Sequence, residues 1–229
     1  MAGPILLDNI EVINDVYRGG IEDTDILRDR DLISAFVHGS LVDTSPLANL
    51  IERYSDKEAL QQAYVNGRKA VVTATNMRTG MVARIESSME NMDNWEKYVL
   101  ASASMPAIMP LVNIHGDDYG DGGLIDTIPV APVLWDRHID RIIVVINSPL
   151  ETKHLERNPS GLIDILMRTV DIMVSEIARN DLPQMCRNRE LIIISPERHL
   201  GDVLDFNPKA MENIWLYGFD RAGEIMEAL

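Results

Sequence analysis

The sequence predicts an α/β fold with a largely parallel sheet, and two observations carry that expectation. Residues 142–146 and 191–194 are unbroken aliphatic runs of strand length, the pattern of strands covered on both faces. Apolar residues at helical spacing separate and follow them, so the second half reads strand, helix, strand, helix, the order of crossover-connected units.

The elements are justified in turn. Residues 1–7 are short and apolar and read as a strand stub or a leader. Asp8 or Asn9 can cap a helix whose face is Ile10, Ile13, Val16 and Tyr17, stopped by Gly19-Gly20. A second short helix or turn is expected at 31–37. Thr44-Ser45-Pro46 starts another helix, with a hydroxyl cap followed by proline at the first helical position. Ser55 and Glu58 have the reciprocal spacing of a capping box. Residues 69–74 and 81–85 read as a hairpin turned at Arg78-Thr79-Gly80. Asp93-Asn94-Trp95 opens a helix that directs Trp95, Val99 and Leu100 inward and ends before Pro106. Ser160 caps a long helix carrying Leu162, Ile165, Leu166, Thr169, Ile172, Met173 and Ile177, and Asn207-Pro208 starts the closing helix.

One domain is the simplest count for 229 residues with no linker, repeat or low-complexity run. A net charge of -15 argues against nucleic acid as a partner and disfavours electrostatic attraction to anionic membranes. No apolar run approaches the ~20 residues of a spanning helix, and no secretory signal is expected. The single cysteine, Cys186, permits no intrachain disulfide, which fits a reducing, cytoplasmic location.

Asp121 is the leading candidate functional residue. A short strand delivers it to a corner that Gly122 and Gly123 permit, where its carboxylate is free to accept a proton or orient another group. The same Asp-Gly-Gly also reads as a plain turn. Asp117, Asp118, Asp121 and Asp126 suggest calcium, but Tyr119 and Ile128 fall where an EF-hand needs ligands. Ser102 and Ser104 sit among alanines with no glycine-flanked elbow, which favours close helix packing. His38, His115, His138, His154 and His199 are scattered without metal-ligand spacing. A Ser-His-Asp triad using His115 and Asp121 would need a serine that nothing identifies.

Three stretches together resemble the bacterial branch of the patatin-like phospholipase family: Ala101-Ser102-Ala103-Ser104-Met105-Pro106-Ala107-Ile108-Met109-Pro110, then Tyr119-Gly120-Asp121-Gly122-Gly123-Leu124-Ile125-Asp126-Thr127-Ile128-Pro129-Val130, then Asp140-Arg141-Ile142-Ile143-Val144-Val145. Leu204-Asp205-Phe206-Asn207-Pro208 and Tyr217-Gly218-Phe219 resemble that family's C-terminal helix, while the first hundred residues match only loosely. The resemblance implies a three-layer α/β fold and a Ser-Asp dyad that cleaves acyl esters of lipids without a histidine. Asp121 matches the dyad aspartate and Gly122 and Gly123 its supporting glycines. Gly120 stands where an aliphatic residue is expected and should loosen the strand end.

The family's nucleophile lies in a G-x-S-x-G elbow and its oxyanion donors in a glycine-rich loop. Neither can be carried onto any residue. Gly116 and Gly120 enclose Asp118 rather than a serine, and Gly39-Ser40 is followed by Leu41-Val42. The chain is therefore expected to be the later part of a patatin-like domain, inactive alone, with no cofactor and no metal. Its expected partner is a lipid acyl ester, with peripheral membrane contact and self-association through an uncovered sheet edge. The competing expectation is a non-catalytic scaffold that binds a lipid or a protein.

Overall fold

The computed structural model describes residues 26–31, 33–34, 38–151, 158–198, 200 and 207–228. The expected elements at 1–7 and 8–17, much of that at 31–37, the motif residues 204–206, His154 and His199 lie outside them. The chain divides into two compact units, Met1–Asp126 with Phe206–Met211, and Thr127–Asp205 with Glu212–Leu229.

In the first unit, β1 (Arg28–Asp29) pairs antiparallel with β2 (Val42–Asp43). Helix α1 (Ser45–Tyr54) follows with Pro46 in its first turn, as expected, but the cap differs. Thr44 makes no capping bond with its side chain. Instead Asp43 Oδ1 accepts from the Ser45 N–H at 3.1 Å and the Ser45 hydroxyl at 2.7 Å. Helix α2 (Lys57–Val65) starts one residue later than a Ser55 cap would place it. Asp56 Oδ1 accepts from the Ala59 N–H at 2.9 Å, and a carboxylate at a helix N-terminus is favoured over a hydroxyl by its charge.

The expected hairpin forms as β3 (Val71–Asn76) and β4 (Met81–Glu86), paired in register Val72 to Ile85 and Thr73 to Arg84. Asn76 Oδ1 closes its turn by accepting from the N–H groups of Arg78 and Thr79. A 3-10 turn, Met89–Asn94, leads into α3 (Trp95–Ser102). Leu60 of α2, Ala70, Ile85, Met92 and Trp95 form one buried core cluster, with Val72, Ala83, Tyr98 and Val99 packed around it. The hairpin's 72/83/85 face is therefore the core side, and its alternate residues, Thr73 and Arg84, point to the opposite side.

Strands β5 (Val112–Ile114) and β6 (Asp117–Asp121) form a tight hairpin through His115 and Gly116. Both turn residues have positive φ, 54° and 87°, the two-residue geometry whose twist suits antiparallel strands. Strand β6 also pairs with β3, giving the order β4-β3-β6-β5. Every pairing in this sheet is antiparallel, which corrects the expectation of a largely parallel sheet. The hairpins fix two of the three pairs, β3–β4 and β5–β6, because strands joined by tight turns can only run antiparallel.

In the second unit, β7 (Arg141–Val145) and β8 (Glu190–Ile194) are parallel, as the aliphatic runs suggested. The short helix α4 (Ala131–Leu134) precedes them, and α5 (Leu162–Glu176) lies between them in sequence. Asp164 Oδ2 accepts from the Ser160 N–H at 3.2 Å at the start of α5, the reverse of a Ser160 side-chain cap. A π turn, Ile177–Asp181, and α6 (Leu182–Met185) continue it. Pro183 has no N–H to donate to the preceding turn, a local reason for the widened ladder. Ile142, Val144, Ile146, Val130, Ala178, Leu182 and Cys186 make the core.

Strand β7 is not covered on both faces, contrary to expectation. Ile143 and Val145 are 49% and 68% exposed, so burial alternates along it. Helix α7 (Pro208–Glu227) begins where expected, with Asn207 Oδ1 accepting from the Lys209 N–H at 3.1 Å. Neither unit by itself forms a clear three-layer stack among the described residues.

Candidate active site

Asp121 is the last residue of β6, opposite Ala74 of β3. Three bonds fix its place. Its N–H donates to the Ser104 carbonyl at 2.9 Å, and its carbonyl accepts from the Thr75 hydroxyl at 2.8 Å. A 3-10 turn, Gly122–Leu124, follows at once, and the Asp121 side chain caps it: Oδ1 accepts from the Gly123 N–H at 2.8 Å. Among the described residues no other side-chain bond reaches the carboxylate, which leaves Oδ2 for another group.

The glycines have distinct roles. A Cβ at Gly122 would overlap the carbonyl and hydroxyl oxygens of Thr73, so only glycine lets the turn lie against β3. At Gly123 a Cβ would stand 3.2 Å from Asp121 Oδ1, crowding the oxygen that the Gly123 N–H holds. Gly120 does not loosen the strand end. It is buried, and a Cβ there would come within 3.1 Å of both Pro106 and Leu111. The missing side chain lets the 104–111 loop close over the strand, where Ser104 takes the Asp121 N–H.

That loop carries its own strain. Ala107 has φ 69°, a left-handed conformation uncommon for a residue with a Cβ, at the third position of a turn that starts at Met105 and has Pro106 second. The Ile108 N–H closes the turn onto the Met105 carbonyl at 3.3 Å, and the Ile108 carbonyl then accepts from Leu41 and Val42.

Burial pushes the Asp121 carboxyl above the usual carboxylate range, and the Gly123 N–H pulls part of the way back. A carboxylate raised in this way is a stronger base when ionised, the property a proton acceptor needs.

The other sequence candidates are placed elsewhere or engaged otherwise. The Ser104 side chain is fully buried and donates to the Leu100 carbonyl at 2.8 Å, the packing role expected for it. Ser102 is the last residue of α3 and is half-buried. Ser40 is buried and accepts from Arg30 at 2.6 Å. Among the described residues no serine hydroxyl donates to Asp121. His115 stands at the β5–β6 turn beside Asn94, 3.0 Å away, whereas Asp121 is at the far end of β6, a strand about 13 Å long. The structure therefore does not assemble His115 and Asp121 into one site. His38 bonds to Ser34, and His138 to Asp136.

The aspartates considered for calcium diverge. Asp117 takes a two-pronged pair from Arg78 at 2.6 and 2.8 Å, Asp118 accepts from Asn113 at 2.8 Å, and Asp126 accepts from Arg84 at 2.5 Å. Among the described residues no group of three or more potential ligands could hold a metal ion. Arg84 and the Thr75 hydroxyl are contributions that sequence reasoning missed, because no local spacing links them to Asp121.

Residues 10–134 match the model of the patatin-like phospholipase family, a span that takes in most of the first hundred residues as well as Asp121-Gly122-Gly123. The match stops short of residues 140–145 and 217–219, where the likeness rests on the sequence alone. No curated protein matches the chain. No helix among the described residues is long and apolar enough to cross a membrane. With more than half of its length matched, and the Asp-Gly-Gly turn inside that match, this chain belongs to the patatin-like phospholipase family, whose fold is α/β and whose members act on lipids.

Proposed function

We propose that Asp121 is the general base of a Ser-Asp pair that hydrolyses acyl esters of lipids. The observation that carries this reading is the state of its carboxylate: Oδ1 is fixed by the Gly123 N–H, Oδ2 takes no bond among the described residues, and burial raises its proton affinity. In this scheme Asp121 accepts the proton of a serine hydroxyl as the serine oxygen attacks the ester carbonyl. The alcohol leaves with that proton, and water then cleaves the acyl-enzyme.

The serine and the oxyanion donors come from a glycine-flanked elbow and loop that residues 1–229 do not contain. Each absent oxyanion donor costs on the order of a hundredfold to a thousandfold in rate, and an absent nucleophile removes the covalent path. Residues 1–229 are on this reading one domain, the later part of a patatin-like domain, inactive alone and needing no cofactor. It works in the cytoplasm with peripheral contact to the lipid. The three-layer arrangement would need a further layer over the open face of β7, and the exposed Ile143 and Val145 support such an addition.

The test is esterase activity on a short-chain acyl ester, for this chain and for a version extended to include any upstream G-x-S-x-G elbow, each with and without Asp121→Ala. Activity confined to the extended protein and lost with Asp121→Ala supports the reading. Activity of the short chain overturns it. The same exposed β7 face favours one other reading, a non-catalytic scaffold that covers Ile143 and Val145 with a partner or a second copy. That reading moves ahead if neither protein hydrolyses the ester.

A further inference from the structure

We propose that Arg84 and Asp126 are positioning residues for Asp121, an ion pair that clamps the glycine turn onto the hairpin and so sets the direction of the Asp121 carboxylate. The proposal rests on Asp121 being the reactive carboxylate, but its geometry can be tested without any activity.

Arg84 and Thr73 are directly opposed in the β3–β4 register, so their side chains share the sheet face that looks away from the core. The turn after Asp121 crosses this face. Gly122 lies against Thr73, closer than a side chain would allow, and the chain then reaches Arg84 on the neighbouring strand. There Arg84 Nη2 donates to Asp126 Oδ2 at 2.5 Å. The Asp126 N–H returns to the Gly122 carbonyl at 3.0 Å, and the Ile125 N–H to the same carbonyl at 3.1 Å.

The result is a closed circuit: Arg84 to Asp126, Asp126 to Gly122, Gly122 to Thr73, and Thr73 back across the ladder to Arg84. Gly123, which holds Asp121 Oδ1, lies within it. The two charged side chains are only 27% and 19% exposed, so water screens this pair less than a surface pair. Leu124 and Ile125, between the glycines and Asp126, are 49% and 48% exposed and make no comparable anchor. The clamp is the side-chain ion pair that ties the far end of the turn to the hairpin.

The Gly123 amide is the reporter. Its proton is bonded to Asp121 Oδ1, so its NMR shift follows the ionisation of that carboxyl for as long as the bond keeps its geometry. The experiment titrates the 15N-labelled chain and its R84Q, D126N and R84K variants, with the β3 amides of Thr73 and Thr75 as the fold control. The expected result is a titration amplitude at Gly123 reduced by roughly twofold or more in R84Q and D126N, with most of it restored in R84K. The β3 amides stay in place.

An unchanged Gly123 amplitude in both R84Q and D126N overturns the proposal. Loss of the β3 signals in both also overturns it, because the pair then holds the sheet rather than the turn. If one variant alone unfolds, the other and R84K decide. Failure of the general-base reading would appear separately, as esterase activity that survives Asp121→Ala with the Gly123 amplitude intact in the parent.

Discussion

Thr73 and Gly122 are in backbone contact so close that residue 122 has no room for a Cβ, and through that contact the turn bearing Asp121 is pressed against β3. The obstacle is a backbone carbonyl in the middle of a sheet, which cannot swing aside as a side-chain tip could. Gly122→Ala is therefore expected to destabilise the protein by about 2–3 kcal/mol in chemical denaturation. Gly218→Ala is the matched control. Gly218 lies inside α7 with nothing within 4 Å of the place a Cβ would take, so this change should stabilise by about 0.5–1 kcal/mol.

Asp121→Asn should make the protein more stable at neutral pH. The folded carboxyl is raised by burial, so folding favours its protonated form. Its contribution to stability is complete below the unfolded value of 3.8 and is lost as pH rises through the raised folded value. Asparagine keeps an oxygen for the Gly123 N–H and carries no charge. Tm at pH ~7 should rise by roughly 1–3 °C, and the difference from the parent should close below pH ~4. A lower Tm at neutral pH would mean that Asp121 is a structural anchor.

Asp117 should behave in the opposite way. The Arg78 guanidinium, with the Asn76 amide beside it, holds its carboxyl down to about 2. The stabilisation is present above the ordinary value of 3.8 and disappears as pH falls through about 2. Asp117→Asn should flatten the acid limb of a Tm-against-pH curve in that window, while the parent keeps it. The exposed Arg78 makes the effect salt-dependent, so it should shrink as salt is added.

The cap of α2 separates two neighbouring residues. Asp56 makes the capping bond and Ser55 does not, so Asp56→Ala should cost about 1 kcal/mol and Ser55→Ala a few tenths at most. Equal losses in the two variants would place the helix start where the Ser55 to Glu58 spacing puts it.

Much of the chain was legible residue by residue. The β3–β4 hairpin, the proline-started α1, the long α5 and the Asn207 start of α7 follow from periodicity and capping chemistry, which act over a few residues. The Asp-Gly-Gly corner was legible because only glycine tolerates that backbone approach. Misreadings arose where two local solutions compete, as with Asp43 and Asp56 taking caps assigned to hydroxyls. The aliphatic run of β7 misled for another reason: apolar composition shows that a strand can be covered on both faces, not that it is.

By itself the sequence determined the family, the Asp-Gly-Gly turn at a strand end, and the absence of a glycine-flanked serine within residues 1–229. The tertiary structure decided the direction of the sheet and the company Asp121 keeps. Ser104 holds its N–H, Thr75 its carbonyl, and Arg84, 42 positions before Asp126, the far end of its turn. No spacing rule reaches across such separations. Side chains distant in sequence meet only after strand pairing fixes which faces coincide, and that pairing is chosen by the whole core rather than by the residues it brings together.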